Sequence, residues 1–134
     1  MAIPTVGGGR QLGDGNLNEL VLGTMPEPQT ATATATLTAA QVTGNMIVAN
    51  PSTSAATYTF PTASQIDAVL TNAKVGSTFD LVIINLGTSS GALTLTMGTG
   101  LTLVGSATVA ITSSAILRFR KTADTPTYSV YRIE

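Results

Sequence analysis

From Thr30 onward, apolar and polar residues alternate in short runs. The segment Ala31-Thr-Ala-Thr-Ala-Thr-Leu37-Thr38 is strictly period two, with Ala31, Ala33, Ala35 and Leu37 on one face and threonine on the other. That spacing predicts a half-buried strand. Its small alanine face suits close approach of a neighbour, and its threonine face suits hydroxyl pairing across strands. Residues 45–49 and 57–60 are shorter strand candidates, separated by the turn-rich Asn50-Pro51-Ser-Thr-Ser54.

The period then changes. Pro61-Thr62-Ala-Ser-Gln65 has the form of a capping box, in which the Thr62 hydroxyl accepts from the amide of Gln65 and the Gln65 side chain returns to the amide of Thr62. Ile66, Val69, Leu70 and Ala73 follow at helical spacing, and Gly76 stands where a left-handed cap would close the segment. One short α-helix is therefore predicted over about 63–74, with Lys74 as a last-turn charge that favours the dipole.

After Gly76 the period returns to two. Residues 77–85 are apolar on nearly both faces, which predicts a central strand. Residues 92–97 place Leu93, Leu95 and Met97 inward and Thr94 and Thr96 outward. Further strands are predicted at 101–104, 107–111, 115–120 and 127–133, each bounded by Gly, Ser, Thr, Asp or Pro. Strands at this spacing predict a mainly β fold: an antiparallel β-sandwich or jelly-roll-like barrel with one short helix. A β-helix ranks below it, because the Gly-Thr-Gly and Val-Gly-Ser spacings drift and no strict repeat appears.

The opening of the chain lacks this order. It carries Gly7-Gly8-Gly9, Gly13-Asp14-Gly15, Gly23 and Pro26-Glu27-Pro28, with a short apolar patch at Leu17, Leu20, Val21 and Leu22. Such punctuation predicts an extended N-terminal arm over 1–30, followed by a single β domain over 31–134. An arm of this kind gains affinity by adding to a sheet edge, and Ile3, Val6, Leu12, Leu17 and Leu20 are its side-chain anchors, with Arg10 its one cation.

Composition narrows the function. The 134 residues suffice for one domain, and only 10 % are charged, where about 25 % is usual. Two dozen threonines make up much of the polar share. With no Cys and no His, disulfides, thiolate or imidazole metal sites, Cys nucleophiles and Ser-His triads are excluded. A net charge of −1 argues against binding nucleic acid by neutralising phosphates. The first residues lack the charge and apolar run of a secretory signal, and no run approaches a membrane span, so synthesis in a cytoplasm is expected. A chain this poor in charge lacks the surface that keeps an isolated domain soluble, and much of its exterior is expected to face other protein.

Individual motifs add little chemistry. Gly13-Asp-Gly-Asn-Leu-Asn18 opens like a calcium loop, but Glu19 replaces the required glycine and Met25 stands where the bidentate glutamate belongs. The glycines from Gly7 to Gly15 lack the Lys-Ser/Thr of a phosphate loop. Asp67, Asp80 and Asp124 are scattered over a helix, a strand and a turn, and Thr71-Asn-Ala-Lys74 has the offset of a Ser-Lys enzyme without its companion motifs. Tyr58, Tyr128 and Tyr131 read as core or rim residues more readily than as a stacking platform. The sequence is expected not to encode an enzyme and to need no cofactor, metal or small-molecule substrate. Four of the six basic residues, Arg118, Arg120, Lys121 and Arg132, fall near the end of the chain, and three of the seven acids, Asp14, Glu19 and Glu27, fall in the arm. One chain's arm could clasp a neighbour's Arg118, Arg120 and Arg132; the plainer reading is a solvated strand face.

Several segments carry a resemblance. These are Thr36-Leu-Thr-Ala-Ala-Gln41, Tyr58-Thr-Phe-Pro-Thr62, Val75-Gly-Ser-Thr-Phe79 leading to Ile83-Ile-Asn85, Gly98-Thr-Gly-Leu-Thr-Leu-Val-Gly105 and Val130-Tyr-Arg-Ile133. Together they resemble a family of small virion proteins from tailed bacteriophages, over roughly Thr30 to Glu134, and the Gly-rich opening is similar too. The resemblance implies a capsid decoration or cement protein on the virion exterior. Its partners would be the major capsid protein and itself, as a homotrimer at threefold or quasi-threefold positions that braces neighbouring capsomers, with no role for nucleic acid or membrane. The alternative is a tail-fibre or host-adhesion β module.

Overall fold

The computed structural model describes residues 22–134. The first strand, β1 (Gln29–Ala31), is followed by β2 (Ala35–Thr36), and these two belong to different sheets. The single strand expected over 31–38 is thus broken by a bend at Ala33 and Thr34. Alanine and threonine offer no large apolar side chain to hold the segment in one sheet until Leu37, which is buried in the core of the sandwich. Thr38 then caps a helix, α1 (Ala39–Thr43), through a capping box with Gln41. The same Thr-x-x-Gln signature that predicts the second helix lies here in plain view.

Strands β3 (Met46–Ala49) and β4 (Ala56–Thr59) follow, then the second helix, α2 (Ala63–Val69), whose Thr62–Gln65 capping box forms as expected. This helix stops earlier than predicted, at Leu70 (φ −97°, ψ 69°). Gly76 has the expected positive φ of 94°, but in a turn whose amide donates to the Lys121 carbonyl, so Lys74 lies outside the helix and does not act on its dipole. The remaining strands are β5 (Thr78–Asn85), β6 (Leu93–Thr96), β7 (Leu101–Val104), β8 (Thr108–Val109), β9 (Ser113–Ala123) and β10 (Thr127–Arg132).

The architecture is mainly β, a sandwich of two sheets, as expected. A six-stranded sheet runs in the order β1-β3-β5-β9-β10-β7, and a four-stranded sheet runs β2-β4-β6-β8. The strand directions differ from the antiparallel expectation. Five pairs are parallel, β1·β3, β3·β5, β2·β4, β4·β6 and β7·β10, and only β5·β9, β9·β10 and β6·β8 are antiparallel. The cause lies in the connections. From β1 to β6 the chain changes sheet at every strand, so each strand reaches its neighbour in the same sheet only after crossing the opposite one, and arrives running the same way. Three windings of this kind are closed by the antiparallel strands β9 and β10.

Apolar side chains from both sheets fill the space between them. Leu37, Tyr58, Phe60 and Leu95 meet Ile47, Ile83, Leu117 and Val130, all at most 3 % exposed. Phe79 and Phe119, opposite each other on β5 and β9, stack at 4.6 Å between centroids, and Phe60 stacks on Phe119 from the other side at 5.8 Å. The Tyr58 hydroxyl donates to the Ala31 carbonyl (2.8 Å), linking the second strand of the small sheet to the edge of the large one.

Asn85 closes the end where β5 leaves the large sheet. It is buried, its Nδ2 donates to the carbonyls of Gly91, Val109 and Ala110, and its Oδ1 accepts from the Gly87 amide. The turn around it comes so close to its neighbours that a Cβ on Gly87 would strike the Gly91 carbonyl, and one on Gly91 would strike that of Ser52.

Candidate interaction face

The two outer faces of the sandwich differ in chemistry. On the small sheet, register aligns Thr36 with Thr59 and Thr59 with Thr96 in one row, and Thr57 with Thr94 and Thr94 with Thr108 in the next. Six threonines thus tile this face in two rows, at about 4.8 Å between strands. None of them is buried, and no charged residue stands among them.

On the large sheet the outer positions are Met46 and Val48 on β3, Val82 and Ile84 on β5, and Ile116 on β9, as pairings Met46↔Val82, Val48↔Ile84 and Val82↔Ile116 place them side by side. All five are only half-buried. The band is prolonged by Tyr131 and Val104, paired across β10 and β7 (38 % and 49 % exposed), by Ile133, whose amide donates to the Ile116 carbonyl, and by Leu86 at the end of β5 (both 50 %). Of the eight large hydrophobic side chains most exposed among the described residues, four therefore lie on this one face. A shallow cavity of about 390 Å³ opens at its end, between Ile84, Leu86 and Ser114. The sequence predicts a central strand of the core over 77–85. The run of apolar residues on both faces of β5 was the available signal, and it marks a strand with one face in the core and the other open.

Charged residues stand at the other end of the same face. Arg118 on β9 faces Asp80 on β5 and grips it with two parallel bonds, Nε to Oδ1 at 2.8 Å and Nη2 to Oδ2 at 2.9 Å. The bonded guanidinium holds the Asp80 carboxyl below the usual carboxylate range and raises Arg118 in turn. Arg120 follows on the same face, opposite Thr78. The expected cluster of Arg118, Arg120, Lys121 and Arg132 is divided. Arg132 turns to the end of the sandwich, where Nη1 donates to the Ser106 and Thr108 carbonyls and Nε to the Glu134 oxygen. Strand alternation sends Lys121 inward, where it is 4 % exposed.

Around Lys121 the structure brings together residues that the sequence leaves far apart. Its Nζ meets Asp67 Oδ1 at 2.8 Å and the Ala73 carbonyl at 3.2 Å, with Asp124 at 3.9 Å. The Tyr128 hydroxyl donates to the same Asp67 oxygen at 2.9 Å. Bonding to Lys121 and then to Tyr128 lowers the Asp67 pKa, while burial and the adjoining carboxylate push Tyr128 up. Burial also raises Tyr58. Lys121, Asp67 and Tyr128 together hold α2 and the 70–77 loop to the large sheet, a structural anchor near a cavity of about 270 Å³ beside Phe79 and Tyr128, while Asp124 stays exposed at the turn after β9. Two of the three tyrosines are core residues, and Tyr131 alone reaches an outer face.

Among the described residues, no group of three or more His, Cys, Asp or Glu side chains could hold a metal ion, and no helix is long and apolar enough to cross a membrane. The arm anchors Ile3, Val6, Arg10, Leu12, Leu17 and Leu20, with the acids Asp14 and Glu19, lie outside the described residues. The chain matches no family model, no curated protein and no solved structure.

Proposed function

We propose that this protein is a structural virion protein, a decoration or cement protein that binds an assembled phage capsid and braces neighbouring capsomers as a homo-oligomer. The observation that carries the reading is the contrast between the two outer faces of one small sandwich: an uncharged threonine face suited to water, and an apolar face that water does not suit. A protein built in this way functions when other protein covers it. The sequence resemblance to phage virion proteins supplies the setting, and the residues before Gln29 are the segment proposed to make a second contact with the shell.

A cement protein acts by mass action. Binding the assembled shell and not its free subunits stabilises the shell by the binding free energy, and several linked sites in one oligomer multiply the effect through effective concentration. A preformed β scaffold keeps the ordering cost of binding low. The test is stoichiometry in the purified particle that carries this polypeptide. A fixed ratio to the major shell protein, with loss of shell binding when residues 1–28 are deleted, is the expected result. A few copies per particle located on the tail would overturn it in favour of the adhesion module.

A further inference from the structure

We infer that the outer face of the six-stranded sheet is the contact between copies of this chain, with the apolar band of one copy packed against that of another. The inference goes beyond the proposed function, because such packing holds wherever the assembly sits.

Size is the first argument. With about 4.8 Å between strands and about 3.3 Å per residue, six strands crossed by a strand as long as β5 make a face of roughly 24 by 26 Å. That is about 600 Å² before side-chain relief is added, close to the ~800 Å² per partner of a standard stable interface. The apolar band fills the part of this face outside the Asp80, Arg118 and Arg120 positions, and a contiguous apolar stretch rimmed by polar residues marks a contact with protein.

Charge is the second. The band from Met46 to Ile116 carries no ionic side chain; at its end Arg118 is neutralised by Asp80, and Glu134, whose oxygen lies at the Ile116 amide, is bonded by Arg132 Nε, so the charges that border the apolar zone are largely paired before an identical surface approaches. An unrelated partner with an acidic face would find one uncompensated cation, Arg120, and would leave the apolar band unmatched. Among the described residues, the surface with the same width and chemistry is this face on another copy. Sheets meeting in this way pack about 10 Å apart with interleaved side chains, the arrangement already used between the two sheets inside the molecule.

The full-length protein tests it in solution, in the absence of any shell. Sedimentation or light scattering should give twice the 13.6 kDa chain, because a face packed on the same face of another copy closes at two. Ile116→Glu, at the centre of the band, should reduce the mass to that of one chain with the circular dichroism spectrum retained, and Thr96→Glu on the threonine face should leave the oligomer intact. The chain has no cysteine, so Ile116→Cys and Thr96→Cys each carry a unique thiol and serve if the glutamate variant fails to fold. The Ile116→Cys thiol should react with a maleimide more slowly than the Thr96→Cys thiol, and should equal it on dilution to monomer. A single-chain mass for the native protein at high concentration overturns the inference. So does an oligomer that persists in Ile116→Glu, or equal labelling of the two thiols in the assembled protein. None of these outcomes depends on binding a capsid, so the inference and the proposed function can fail separately.

Discussion

Asn85 and Lys121 show how a single buried polar side chain can organise this sandwich. Each is buried at an end of the core, and each has its polar atoms paired there with groups of the neighbouring turns or helix. Replacing Asn85 by Ala leaves the Gly87 amide and three carbonyls without that partner, and unfolding in urea should report a loss of at least about 2–4 kcal/mol. The Asp67 carboxyl titrates below its ordinary range because Lys121 and Tyr128 bond its ionised form. A carboxylate lowered in this way contributes its stability above the unfolded value of about 4 and loses it as the pH falls through the folded value. Stability should therefore decline on acidification below about pH 4. Asp67→Asn should start from a lower plateau at neutral pH and show a shallower decline, Asp80 accounting for part of what remains. Thermal melts across that range would check both.

At the scale of elements, local signals and tertiary context divide the work. The capping box at Thr62 was legible because its chemistry lies within four residues. The one at Thr38 was equally legible but was masked by the Ala-Thr alternation running into it. Helices of five and seven residues cannot persist alone, so both depend on their caps and on the contacts of Val42 and Ile66 with the core. Thr38→Ala and Thr62→Ala should each cost about 1 kcal/mol in equilibrium unfolding. Phe119, stacked between Phe60 and Phe79, should cost about 3–5 kcal/mol when replaced by Ala. Strand positions were largely readable from period two, but strand direction was not. Nothing within residues 29–36 reveals that the chain is changing sheets, because the information lies in which distant strand receives it. The inward turn of Lys121 was hidden in a different way: the -Arg-Phe-Arg-Lys- run reads as a basic patch unless strict alternation is carried through its last residue.

Over the whole molecule, the windings explain why no repeat is visible in a chain that partly repeats its path. The parallel neighbours β1, β3 and β5 begin at Gln29, Met46 and Thr78, so the second return is far longer than the first and carries the larger helix. A sequence period dissolves when its insertions differ. The open apolar face was half legible. The scarcity of charge calls for protein neighbours and residues 77–85 are apolar on both faces, but only the sheet order shows that, among the described residues, no further sheet covers β5 and β9.

The threonine rows have a consequence for handling the protein. None of those six side chains titrates near neutrality or attracts counterions, so mutual repulsion contributes almost nothing to keeping molecules apart through that face. Dispersal there rests on hydroxyl hydration alone, the kind that sulfate and phosphate weaken by exclusion. The protein should come out of solution at modest ammonium sulfate and at a threshold that barely moves between pH 6 and 9. Placing glutamates at Thr94 and Thr96 should raise that threshold and make it follow the pH on the acid side.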